Sequence, residues 1–169
     1  MAQHEGLEEV RELYNRYAIS WDENHPHELA ACFTSDGIFE SYRGRFVGHD
    51  AILGNLADFN RSLGAGRKQR HVTTNISINL DGDRATGTAY FIFCVGHEGK
   101  IERTYFGHYR DELRKVGGRW FFSRGLELPK ARRSPSRLLD SLTRSLRNDF
   151  ANSAGRLKLA GGSGLSWGF

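Results

Sequence analysis

Arg70-His71-Val72-Thr73-Thr74-Asn75-Ile76-Ser77-Ile78-Asn79-Leu80 is the stretch on which the fold turns. It alternates. His71, Thr73, Asn75, Ser77 and Asn79 fall on one side, and Val72, Thr74, Ile76, Ile78 and Leu80 on the other. Period-two alternation in a run rich in β-branched residues predicts a strand. Asp81-Gly82-Asp83 then reverses the chain.

Three more strands are predicted downstream. In 84–96, Ala85, Gly87, Ala89, Phe91, Phe93 and Val95 share a face, and the opposite face carries Tyr90, Ile92 and Cys94. Apolar residues on both faces predict an interior strand covered on both sides. Strands over 101–114 and 119–128 are joined by Lys115-Val116-Gly117-Gly118, a hairpin signal. Pro129 is expected to end the sheet.

Upstream, the period changes. Leu7, Val10, Leu13, Tyr14, Tyr17, Ala18 and Trp21 recur every three or four residues, which predicts a helix over 6–21. Pro26 suits the first turn of a second helix, His27 to Phe33. Thr34-Ser35-Asp36-Gly37 reads as a turn, 38–42 as a short strand and Arg43-Gly44-Arg45 as another turn. A third helix is expected from Asp50 to Leu63, burying Ile52, Leu53, Leu56 and Phe59. Helices followed by an antiparallel meander make an α+β fold.

At 169 residues the chain is read as one domain over 1–130 with an extension over 131–169. The extension holds seven basic against two acidic side chains, so the net charge of +4 resides there. Ser134-Pro135 predicts a helix start, and Leu138, Leu139, Leu142, Leu146 and Phe150 an amphipathic face. Spaced arginines on such a helix read as a solvated face, and no nucleic-acid-reading motif is present. No apolar run reaches the ~20 residues of a membrane helix, and no signal-peptide core follows Met1. Cys32 and Cys94 lack Cys or His partners at ligand spacing. No metal site and a reducing, cytoplasmic setting are therefore expected. No phosphate loop and no Gly-x-Ser-x-Gly elbow occur, which argues against nucleotide binding and serine hydrolysis.

Tyr17, Trp21 and Asp22 sit at the end of the first helix, where the macrodipole disfavours a carboxylate. A histidine partner would relieve Asp22, and His71 is the candidate. A carboxylate on one ring nitrogen fixes the tautomer and leaves the other nitrogen as a general base. Two readings of the pair stand on residues alone. One is this dyad; the other is a loop-starting Asp22 and a solvated edge His71.

The order Tyr-x4-Asp (Tyr17, Asp22), Arg-His-x3-Asn (Arg70, His71, Asn75), Gly-x-Tyr-x-Asp (Gly107, Tyr109, Asp111) and Gly-Arg-Trp-x-Phe (Gly118 to Phe122) resembles the SnoaL-like branch of the nuclear transport factor 2-like superfamily. That branch includes polyketide cyclases and is similar to scytalone dehydratase, bile-acid dehydratase and hexachlorocyclohexane dehydrochlorinase. The resemblance covers about residues 5–128. It implies a cone-shaped α+β barrel, with a curved, mostly antiparallel sheet wrapped on three N-terminal helices around an apolar cavity. It implies no metal or organic cofactor. By position, His71 matches the catalytic histidine, Asp22 the orienting aspartate and Tyr17 the polar helix residue that assists a leaving group.

Parity and aromatic content place Trp21, Tyr42, Phe46, Phe91, Phe93 and Tyr109 around the substrate, and the resemblance adds Asn75 and Arg124. Arg124 is followed by Gly125, where some lyases of the group carry a cavity arginine, so leaving-group stabilisation falls to Tyr17, His108 or Asn75. So many rings suit a small hydrophobic or aromatic ligand. The expected function is a cofactor-independent lyase, losing water or cleaving a carbon–carbon bond in retro-aldol fashion. The alternatives are an isomerase or cyclase using the same dyad, or a non-catalytic binding or assembly module. The expected assembly is a homo-oligomer, dimer or trimer, with no nucleic-acid or membrane partner.

Overall fold

A computed structural model describes residues 2–133, with side chains described for residues 4–128. The helix and glycine-rich end expected in the extension lie outside the described residues. The element order is α1 (Ala2–Asp22), α2 (Pro26–Ala30), β1 (Phe33–Ser41), β2 (Gly44–Val47), α3 (Gly48–Leu63), β3 (Lys68–Asp81), β4 (Arg84–His97), β5 (Lys100–Val116) and β6 (Arg119–Arg133).

The six strands form one curved, unclosed sheet in the order β2-β1-β6-β5-β4-β3. Every pairing is antiparallel except β1 with β6. That parallel pairing joins the helical front half to the meander. The α1 helix packs on β3 and β6, and α3 on β1 and β2.

The helical period puts Val10, Leu13, Tyr14, Tyr17 and Trp21 on the face of α1 that meets the sheet, each 6% exposed or less. Burying such a side chain contributes roughly 1.5–3 kcal/mol relative to leaving it in water. The inner face of β4 supplies Ala85, Ala89, Phe91, Phe93 and Val95, as alternation predicts. The opposite face is not covered within the described residues, contrary to expectation: Tyr90 is 60% and Ile92 45% exposed.

Three boundaries move. The second helix stops at Ala30 because Phe33 pairs with Phe122 in the sheet. The Thr34–Gly37 turn is a bulge inside β1, where the register slips between Phe33 and Ile38. Pro129 does not end β6: pairing slips by one residue there and continues to Arg133. A proline, which has no N–H, is tolerated at such an irregularity.

Two further slips decide which residues face inward. In β3 one extra residue lies between Thr74 and Ser77, and Asn75 adopts φ 55°. The strict alternation read from the sequence therefore holds only to Thr74. Gln69, His71 and Thr73 share the inner face with Ile76, Ile78 and Leu80, not with Ser77 and Asn79. In β6 the extra residue is Ser123, between Phe122 (opposite Leu113) and Arg124 (opposite Glu112). Phe122 and Gly125 are buried, and Arg124 turns outward. A one-residue bulge reverses every side chain beyond it.

Candidate active site

The site begins where α1 stops. Asn24 takes the left-handed conformation, φ 59°. Its N–H donates to the Trp21 carbonyl (3.2 Å), and the His25 N–H to the Ser20 carbonyl (2.8 Å). This pair of reversed bonds is a Schellman ending, and it fixes the direction of Asp22. Gln69, 4% exposed, donates from Nε2 to the same Trp21 carbonyl (2.8 Å) and to Asn60 Oδ1 (3.2 Å). Asn60 donates in turn to Asn24 Oδ1 (2.5 Å). The helix end, α3 and β3 are thus latched together by amide side chains.

Two residues along β3 from Gln69, His71 reaches the same point. Its backbone N–H donates to Asp22 Oδ2 (2.7 Å) and its ring Nδ1 to Asp22 Oδ1 (2.6 Å). The two side chains are 6% and 7% exposed. Both carboxylate oxygens accept, so Nδ1 carries a proton and Nε2 is the ring nitrogen not engaged by Asp22. The two donors also offset the unfavourable placement of Asp22 at a helix C-terminus.

Aromatic rings enclose the imidazole. Phe93 lies 4.5 Å from it, centroid to centroid, Trp21 6.1 Å and Tyr17 6.2 Å. Tyr17 is 6.0 Å from Tyr109, which packs on Phe91 at 4.7 Å. Burial holds the Tyr17 and Tyr109 hydroxyls well above the ordinary tyrosine range, with nearby carboxylates adding to it, so both stay proton donors. The Trp21 Nε1 is buried without a hydrogen-bond partner among the described residues.

A second polar pair lies deeper. Tyr14 donates to Asp111 Oδ2 (2.5 Å), and the Leu126 N–H to Asp111 Oδ1 (3.2 Å). Burial pushes the Asp111 carboxyl up to about 7 against the pull of those bonds. Gly87 faces Asp111 across the β4–β5 ladder, and a Cβ there would collide with the Tyr14 hydroxyl. Gly107 is constrained likewise, since a Cβ would meet Phe91 Cζ at 2.7 Å. A void of about 10 Å³ lies among Tyr14, Tyr17, Tyr109, Asp111 and Phe122. It holds about one water, far less than an organic ligand.

Of the predicted site residues, Tyr17, Trp21, Asp22, His71, Phe91, Phe93 and Tyr109 converge. Phe46, half-buried, stacks on Phe39 at the cluster's edge. Three do not join. Tyr42 is 58% exposed beside the β1–β2 turn. Asn75 is exposed on the β3 bulge. Arg124 points outward to ion pairs with Glu40 (2.8 Å) and Glu112 (3.9 Å).

Sequence reasoning misses Glu127. It lies opposite Tyr109 in the β5–β6 register and is half-buried. Its charge acts on both Tyr17 and Tyr109. Burial raises its carboxyl above the ordinary range, and the nearby His71 pulls it back down. The signal that would find it is the Ser123 bulge, which counting from Trp120 and Phe122 cannot reveal. Gln69 is missed because the alternating run is legible only from Arg70 onward. Among the described residues no three His, Cys, Asp or Glu side chains converge as a metal site, and no helix is long and apolar enough to cross a membrane.

The fold recurs in solved structures. One is a single-residue variant of Rv3472, a protein of unknown function from Mycobacterium tuberculosis, 26% identical over 74% of this chain and 76% of that one, TM-score 0.65. A protein assigned as a scytalone dehydratase from Novosphingobium aromaticivorans is 23% identical over 79% and 91%, TM-score 0.68. A hexachlorocyclohexane dehydrochlorinase, LinA Type2, is 16% identical over 78% and 90%, TM-score 0.70. At such identities the last two speak to the fold. A comparison with curated proteins gives no match. Residues 3–125 match the family model described as the SnoaL-like domain, and the chain belongs to that family.

Proposed function

We propose that the protein is a cofactor-independent lyase acting on a small hydrophobic, aromatic substrate, with His71 as general base and Asp22 as its orienting partner. The observation that carries this reading is the buried Asp22–His71 contact, 2.6 Å at Nδ1, which leaves Nε2 free within the surround of Tyr17, Trp21 and Phe93. A proton taken at Nε2 makes an imidazolium that Asp22 stabilises, a contribution of roughly 10²–10⁴-fold in rate. Tyr17 assists the departing group as a hydrogen-bond donor. The Trp21 Nε1 supplies a second donor, which the protein leaves unpaired among the described residues. An unpaired buried donor costs about 1–3 kcal/mol, which a polar substrate atom would offset.

Solved neighbours assigned as a dehydratase and a dehydrochlorinase are consistent with an elimination. Loss of water is the leading form, and retro-aldol cleavage would use the same base on a hydroxyl. The test is turnover of hydroxylated aryl ketones by wild type, His71→Ala and Asp22→Asn. A loss of about 10²-fold or more in both variants is expected; wild-type turnover in both removes the mechanism. A homo-oligomer remains part of the proposal. Val72, Ile92 and Phe106 are neighbours across β3, β4 and β5, each 45–48% exposed, and a second copy would cover them. Light scattering that finds only monomer overturns that part.

A further inference from the structure

A base alone does not complete an elimination: the departing group needs a proton of its own. Expelling hydroxide is slow, so the oxygen has to be protonated as the carbon–oxygen bond breaks. The tyrosines are weak acids made weaker by burial. Two stronger acids sit in the same cluster, and Asp111 is tied to the Tyr14 hydroxyl and the Leu126 N–H, which leaves Glu127. Glu127 projects from β6 directly opposite Tyr109, and Tyr109 lies 6.0 Å from Tyr17, whose ring is 6.2 Å from His71. Among the described residues Glu127 has no hydrogen-bond or ion-pair partner, unlike Asp22, Glu40, Glu102 and Asp111. A half-buried carboxyl with no partner among the described residues, held near a histidine, is arranged for a transient contact rather than a structural one.

We propose that Glu127 is the general acid that protonates a departing hydroxyl, and hence that the leaving group is a basic oxygen and not a halide. This rests on the reading of His71 as the base. The steps balance. His71 Nε2 takes the proton from the carbon beside a carbonyl, and that C–H electron pair becomes the new carbon–carbon double bond. The carbon–oxygen bond breaks, and the oxygen takes the Glu127 proton to leave as water. The protein is left with a His71 imidazolium and a Glu127 carboxylate. Transfer of one proton from His71 to Glu127 through the product water restores both. The two groups are coupled in the sense this needs: positive charge on His71 lowers the Glu127 carboxyl's hold on its proton.

The probe is 4-hydroxy-4-phenylbutan-2-one. Loss of water yields benzalacetone, retro-aldol cleavage yields benzaldehyde and acetone, and proton abstraction alone shows as deuterium uptake at the methylene carbon in D₂O. Glu127→Gln is expected to slow dehydration roughly 10²–10⁴-fold while keeping deuterium uptake. Glu127→Asp should restore part of the rate, and His71→Ala should lose both signals. Undiminished dehydration in Glu127→Gln, with loss in His71→Ala, overturns the role of Glu127 alone. Deuterium uptake undiminished in His71→Ala overturns the reading of the base. A carbon-13 titration of the resting protein decides the point without turnover. The Glu127 carboxyl should titrate above the ordinary glutamate value of ~4.3; a value at or below it leaves no proton to give and sinks the proposal.

Discussion

Replacing Asp111 by Asn should change how stability depends on pH. In the fold this carboxyl is 5% exposed and holds its proton up to about pH 7. In the unfolded chain it releases it near 3.8. Between those values the native state carries the proton and the unfolded state does not. Stability therefore falls as pH rises through that window and levels off above it. The gap is roughly three pH units at about 1.4 kcal/mol each, so this one group removes on the order of 4 kcal/mol. Glu127 acts in the same direction. The exposed Asp36 and the half-buried Glu102, held low mainly by hydrogen bonds from Thr34, Arg114 and Arg67, act in the other.

The substitution isolates Asp111 from these. An amide, like the protonated acid, carries no charge, and its oxygen can still accept the Tyr14 O–H. Relative to wild type, the variant should gain on the order of 4 kcal/mol between pH 3 and pH 8. Urea unfolding of both proteins at half-unit pH steps reads this directly. A difference between them that does not change with pH refutes a buried, protonated Asp111.

Other outcomes follow from single contacts. Asp22→Asn leaves one oxygen for two donors, His71 N–H and Nδ1–H. It should cost about 1–3 kcal/mol of stability and roughly 10²–10⁴-fold in turnover, checked by denaturation and probe kinetics. Gly87→Ala places a methyl against the Tyr14 hydroxyl. It should destabilise by about 1–3 kcal/mol and steepen the fall of stability with rising pH, because losing the Tyr14 hydrogen bond removes a pull that lowers the Asp111 carboxyl. Gln69→Leu removes the donor to the Trp21 carbonyl and should cost about 1–3 kcal/mol, read as a lower urea midpoint. Its turnover should fall while Glu127 titrates as before.

The helices and the meander are legible because each rests on a local period, and burial follows that period in α1 and β4. Asp22 and His71 are legible because a helix end and a strand start announce themselves in residue type, and family resemblance supplies the pairing. Inward and outward assignments fail beyond each bulge. Ser123 carries no chemical sign of the extra residue, so Arg124, a candidate from the family resemblance, turns outward and Glu127 is passed over. Asn75 does carry one, since asparagine tolerates the left-handed conformation it adopts, φ 55°. The parallel β1–β6 pair and the amide latch of Gln69, Asn60 and Asn24 join segments distant in sequence, and nothing local marks them.

Nitrogen-15 NMR of the His71 ring in the resting protein tests the proposed base most directly. The Asp22 contact predicts a fixed neutral tautomer, with the proton on Nδ1, a strongly hydrogen-bonded Nδ1–H and an unprotonated Nε2, and loss of that pattern in Asp22→Asn. A ring protonated at Nε2, or one averaging both tautomers alike in wild type and Asp22→Asn, contradicts it.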